Sequence, residues 1–178
     1  MIRTCIAAVS WWRDMQPNPP AHSGDRAALA RLRRCATVSE AMQDQATIAL
    51  FRRVGATGPD DLPAIGLAAA VLAHVRGDQP ALKVARQVGP ENPDKPETAL
   101  LKPLRFRRLL EATTEDERLA AFRRLVALAG ATLNVADLAD ALLDWDDRRR
   151  QRWIYDYWNA GQPAVSGDTV SPTKDIAA

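Results

Sequence analysis

Apolar residues recur along the 178-residue chain at intervals of three and four, and no run shows the β-branched, period-two alternation of a strand. The pattern predicts an all-α protein, a helical bundle. A first helix covers about 4–15, with Trp11 and Trp12 near its end, and the prolines of PNPP at 17–20 stop it. Ser23 is placed to cap a second helix through GDRAALARLRRC, in which Leu29 and Leu32 lie inward while Arg26, Arg33 and Arg34 point elsewhere. Thr37 or Ser39 opens a third helix running to Val54, with Ile48, Leu50 and Phe51 as core. Arg52 and Arg53 fall in its last turn, where the helix C-terminus favours cations. GATGPDD at 55–61 reads as a loop, and LPAIGLAAAVLAHVR, apolar on most sides, as a central helix buried among others.

Residues 87–98, QVGPENPDKPET, hold three prolines and read as a surface loop. The expected organisation is an N-terminal bundle over 1–88, a flexible loop over 89–98 and a C-terminal bundle over 99–160. Pro103 suits the first turn of PLRFRRLLEA, because its missing N–H costs nothing there. Thr114 and Glu117 form a T-x-x-E capping box for a helix ending near Gly130. Asn134 caps VADLADALLDW, and a last helix, DDRRRQRWIYDYW, ends before Gly161. The tail 161–178 lacks large apolar residues and is expected to be disordered.

Charge changes this picture through its distribution. The totals, 24 basic against 22 acidic residues, leave only +2. Only Lys83, Lys95, Lys102 and Lys174 among the basic residues are lysine; the rest are arginine, whose planar fork suits bidentate contacts to phosphate. A GC-rich genome also raises alanine and arginine together, so position has to separate bias from function. Between 101 and 110 the charge is +4 with no acid, and between 26 and 34 it is again +4. Arg105, Arg107 and Arg108 lie beside Phe106, Leu109 and Leu110 at helical spacing, so one face is core and the other basic. The division recurs at Arg123 and Arg124, between Phe122 and Leu125, and at Arg148, Arg149 and Arg152.

Catalytic and metal readings find little support. His22 sits in a Pro-rich turn and His74 in an apolar helix, neither linked by motif to a nucleophile. Asp144, Asp146 and Asp147 at a helix start offset the positive end of the dipole instead of forming a metal site. Cys5 and Cys35 form no CxxC and fit a reducing cytosol. No signal peptide or membrane span is expected, and the chain is read as cytoplasmic with no cofactor.

LKPLRFRRLLEA, VADLADALLDWDDRRRQRWIYDYW and the earlier WW followed by GDRAALARLRRC together resemble CasB, the small subunit of the type I-E CRISPR surveillance complex Cascade, over about residues 10–160. The resemblance implies two small helical bundles and no catalytic activity. It implies two copies bridging the Cascade backbone and large subunits around the guide RNA. It also implies a basic surface that supports the target and displaced DNA strands of the R-loop. Pairing with the guide then reads sequence while protein contacts to the backbone tip the strand exchange.

Carried onto this chain, the candidate nucleic-acid contacts are Arg33, Arg34, Arg52, Arg53, Arg105, Arg107, Arg108, Arg123, Arg124, Arg148, Arg149 and Arg152. Trp145, Trp153, Tyr155, Tyr157 and Trp158 fall at helical spacing and are read as core in preference to base-stacking groups. The competing reading is a helix-turn-helix regulator built on FRRLVALAGATLNVADLADALLDW, against which stand Asp137, Asp140 and Asp144 on the helix that would enter the groove. A purely structural adaptor, its arginines neutralised by acids, is the third.

Overall fold

The computed structural model describes residues 2–18 and 20–161, with side chains from Cys5 onward. The tail expected beyond Gly161 lies outside the described residues. Ten α-helices follow one another among the described residues: α1 (Ile2–Met15), α2 (Arg26–Arg34), α3 (Val38–Met42), α4 (Gln45–Val54), α5 (Leu62–Leu72), α6 (Val84–Val88), α7 (Pro103–Glu111), α8 (Glu115–Leu128), α9 (Val135–Leu143) and α10 (Asp147–Trp158). The all-α reading holds.

The helix α5 is the centre. Every residue from Ile65 to Leu72 is buried, and α2, α3, α4, α8 and α9 all pack on it. Ile65, Leu67, Val71 and Leu72 each contribute roughly 1.5–3 kcal/mol when taken from water, which explains why this helix can dispense with a polar face. Gly66 makes the close approach of α3 possible, since a Cβ there would stand 2.8 Å from Met42 Cγ. Around α5 the buried residues form one connected cluster, from Ala8 on α1 to Tyr157 on α10.

Aromatic residues close the periphery of that cluster. The indole nitrogens of Trp11 and Trp12 donate to the carbonyls of Ala46 and Val75, each at 3.0 Å, tying α1 to α4 and to the exit of α5. Phe106 stacks on Tyr157 at 3.9 Å between ring centres, and the Tyr157 hydroxyl donates to Leu101 O at 2.7 Å. Phe122, Trp145 and Trp153 meet edge to face. Trp145, Trp153 and Tyr157 are therefore core, Trp158 is half-buried, and Tyr155 is exposed.

Local chemistry sets the boundaries. Thr114 and Glu117 form the expected capping box, and Asn134 accepts from Asp137 N at 2.9 Å to start α9. Tyr155, read from the sequence as core, is exposed, and three further details differ from the sequence reading. Asp25 caps α2 in place of Ser23, accepting from Ala28 N at 2.8 Å. The helix expected from Thr37 to Val54 is two helices, because Asp44 accepts from Ala46 N at 2.9 Å and restarts the chain; a side chain that bonds its own backbone competes with helix continuation. Two two-residue strands, β1 (Gly77–Asp78) and β2 (Thr132–Leu133), pair in parallel. Such a pair is too short to leave a period-two signal.

The stretch 87–98 starts within α6, which packs on α10, and carries a 3-10 turn at Pro96–Thr98. Gly89 ends α6 directly against the backbone carbonyl of Tyr157, with no room for a Cβ.

Candidate nucleic-acid interface

The twelve candidate arginines divide into three groups by what their guanidinium groups touch. Arg33, Arg123 and Arg149 turn inward. Arg33 Nε donates to Ala73 O, the C-cap carbonyl of α5, at 2.6 Å. Arg123, reaching across from α8, donates to Cys35 O at 2.7 Å and Leu32 O at 3.0 Å, two carbonyls at the C-terminal end of α2. Both close orphan acceptors that a helix end leaves open. Arg149 pairs with Asp140 and approaches Asp144 at 4.0 Å. Burial lowers the pKa of all three below the ordinary guanidinium value; on Arg33 the Arg76 charge adds to it.

Arg34, Arg53 and Arg152 are held at the surface. Arg34 Nε donates to Ala30 O in its own helix at 3.0 Å, Arg53 pairs with Asp14 at 2.5 Å, and Arg152 pairs with Asp156 at 3.1 Å while lying over the Tyr155 ring. Exposed pairs of this kind contribute about 0–1 kcal/mol, so they yield readily to a denser anion.

Arg52, Arg105, Arg107, Arg108, Arg124 and Arg148 are exposed and make no hydrogen bond or ion pair among the described residues. Four of these six come from packed neighbours. The buried side of α7 is Phe106 and Leu109, which forces Arg105, Arg107 and Arg108 outward. Packing of α7 on α8 then sets Arg108 and Arg124 on a groove of about 410 Å³, floored by Ala112, Ala120 and Ala121. Glu111 and Glu117 share its rim. Glu117 is already committed to the N-terminus of α8, accepting from the backbone N–H of Thr113 and Thr114, and these bonds hold its carboxyl below the usual range. Arg52 stands apart on α4. Arg148 lines a hollow of about 470 Å³ with Lys83, Arg149 and Arg152, where Asp137, Asp140 and Asp146 offset all but one of the four positive charges.

The acids at the start of α10 have local employment. Asp146 accepts from Arg149 N at 2.7 Å as the N-cap, and Asp147 pairs with Arg150. Sequence periodicity missed Arg13, which is mostly exposed with Asp78 at 3.8 Å, and Arg76, exposed beyond the end of α5. An isolated arginine after an apolar helix gives no pattern to find.

The helix-turn-helix reading meets a packing objection. Five residues of α9 are buried against α1 and α5. Asp137 accepts from Lys83 Nζ and Val84 N, and Asp140 from Arg149, so the helix meant to read a groove is committed to the interior.

Fold and surface together define an all-α bundle protein with an arginine-bearing outer face on α7 and α8. The chain belongs to the family of CRISPR-associated protein Cse2, whose family model matches residues 28–158. Among solved structures, a chain in the crystal structure of E. coli Cascade bound to a PAM-containing dsDNA target shares the fold, with a TM-score of 0.60 and 19% identity over 85% of this chain and 96% of that chain. No curated protein matches. Among the described residues no helix is long and apolar enough to cross a membrane.

Proposed function

We propose that this chain is a non-catalytic small subunit of a type I-E Cascade complex that holds unwound target DNA by its sugar-phosphate backbone. The observation that carries the reading lies on α7 and α8, where Arg105, Arg107, Arg108 and Arg124 are exposed without a carboxylate partner among the described residues and Arg108 and Arg124 line one groove between the helices. Family membership and the fold shared with a chain of a DNA-bound Cascade support the same assignment. Within such a complex the subunit bridges the backbone and large subunits beside a second copy of itself and the guide RNA. Its contacts go to phosphates, which fix position and carry no sequence information, while guide pairing reads the sequence. Arg34, Arg52, Arg53, Arg148 and Arg152 extend the contact where the strand reaches them.

The test is the triple variant Arg105→Ala, Arg107→Ala, Arg108→Ala in the reconstituted complex. Loss of three single-strand phosphate contacts flattens the dependence of log K on log salt by about 2. R-loop stability falls accordingly while the variant chain keeps its fold. Unchanged DNA affinity across the salt series, with the complex fully assembled, overturns the proposal. For the isolated chain, strong preference for one palindromic duplex would restore the regulator reading.

A further inference from the structure

The groove between α7 and α8 has a lining that phosphate contacts alone leave unexplained. On α8 it takes Glu117, Ala120, Ala121 and Arg124, spaced so that all four fall on one side of the helix. From the end of α7 it takes Arg108, Glu111 and the C-cap residue Ala112. The two rows bring two guanidinium groups, two carboxylates and a floor of three methyl groups to one opening of about 410 Å³. That volume lies within the range of small-molecule sites, about 300–1,000 Å³. The opening exists because the floor is alanine. Ala120 is exposed and Ala121 half-buried, and a longer side chain at 120 would occupy the space.

Charge decides what fits inside. Arg108 and Arg124 are unpaired among the described residues, yet Glu111 and Glu117 stand on the same lining, so its formal charge is zero. Glu117 stays ionised, because the backbone N–H groups of Thr113 and Thr114 hold its carboxyl below the usual range. Glu111 is exposed and has no hydrogen-bond or ion-pair partner among the described residues. A phosphate lowered onto the floor would meet two carboxylates that cancel the attraction of the two guanidinium groups. A neutral, flat ring with apolar faces and polar edges meets no such penalty. Its faces suit the methyl groups and a guanidinium plane, and its edge N–H groups suit the open carboxylate of Glu111. The phosphates on either side of the ring stay off the floor, and Arg105 and Arg107, which lie on α7 outside this lining, remain for them.

We propose that this groove holds one unstacked nucleobase of a single DNA strand, with Arg108 and Arg124 at its rim and Glu111 accepting from the base edge. The inference rests on the strand-binding reading, since the strand's phosphates bring the base to the groove. It adds a discrimination that phosphate contacts lack. A base inside a duplex is paired at its edge and stacked on both faces, so the groove favours unwound DNA over duplex. Every base has a flat face, which makes the site tolerant of sequence.

Removing the bases while keeping the phosphates is the test. The purified full chain is titrated by fluorescence anisotropy, from low salt upward, with a deoxythymidine oligonucleotide, an abasic tetrahydrofuran oligonucleotide of the same length and charge, and a duplex. The base-bearing strand is expected to bind at least about fivefold more tightly than the abasic one. Both should show the same slope of log K against log salt, because both carry the same phosphates. Ala120→Leu, at an exposed helical position that leucine tolerates, fills the groove without changing charge. It should bring the base-bearing strand down to the abasic level while leaving the abasic strand, the duplex and the melting temperature as in wild type. Arg105→Ala with Arg107→Ala, both off the lining, should weaken the two strands alike and keep their ratio. Equal affinity for the two strands, both falling steeply with salt, overturns the base groove and leaves strand binding standing. A base preference that survives Ala120→Leu overturns the assignment of the groove. Binding of none of the three DNAs removes the groove together with the reading it rests on.

Discussion

Replacing Arg123 by methionine asks whether this arginine faces a ligand or holds the fold. The substitution keeps most of the aliphatic stem and removes the guanidinium, leaving Leu32 O and Cys35 O without the donors at 3.0 and 2.7 Å that close the end of α2. Hydrogen bonds from a charged donor contribute about 1.5–3 kcal/mol each, which sets an upper bound near 6 kcal/mol for the pair. Two effects reduce it. Methionine recovers the cost of burying the guanidinium, visible in the lowered pKa of Arg123, and removes a charge that joins burial in disfavouring protonation of His74. The expected loss is about 2–3 kcal/mol, a drop in melting temperature of roughly 5–10 °C for a domain of this size. Arg124→Met, one residue along and exposed, should stay within about 0.5 kcal/mol. Urea denaturation of both variants, with the midpoint and slope fitted separately, checks the difference. An Arg123→Met variant within 0.5 kcal/mol of wild type would refute the capping role.

Acid should destabilise the fold through His74. Its pKa is about 4 in the folded chain against 6.5 when free, so between these values the unfolded state binds the extra proton. The contribution is fully present above about pH 6.5 and is lost as pH falls toward 4. The full shift corresponds to about 3.4 kcal/mol, and because the ring is only half buried the working figure is about 1–2 kcal/mol. Urea midpoints of wild type and His74→Gln at several pH values should converge as pH falls, and parallel curves would dismiss the linkage. Gly89→Ala should cost about 1–3 kcal/mol, because its Cβ meets the Tyr157 carbonyl while its φ of −77° is open to any residue. Thermal melting is the check, and an unchanged midpoint would mean that α6 shifts freely on α10.

Much of this fold is written in local rules. The Thr114 and Glu117 box, the Asn134 cap, Pro103 at a helix start and the all-round apolar run of α5 each follow from neighbours within four residues. Where the sequence reading departed from the structure, the deciding group answered a partner chosen by the fold or sat within a segment too short to carry a period. Asp44 breaks the helix after Met42 by capping α4, and Arg31, on another helix, pairs with it at 2.8 Å. The parallel pair at Gly77 and Thr132 joins residues more than fifty positions apart.

The arginines were the least legible part, for a reason specific to helical bundles. Every helix end leaves carbonyls open, and where a terminus is half-buried, water reaches them poorly. A guanidinium on a long stem can close such an end from another element, as Arg33 does for α5 and Arg123 for α2. In sequence these residues look the same as Arg108 or Arg124. Each lies beside an apolar position, in a doublet of arginines or close to one. Within a doublet the helix can point only one member at the neighbouring terminus, and it turns the other by about 100° toward solvent. Thus Arg123 is spent inside and Arg124 is left outside, and Arg33 is tied down while Arg34 is exposed. These two doublets divide their labour, one guanidinium completing the fold and the next facing outward, whereas Arg52 with Arg53 and Arg107 with Arg108 both lie at the surface, so counting arginines along the chain overstates the outward charge only where a helix end takes one.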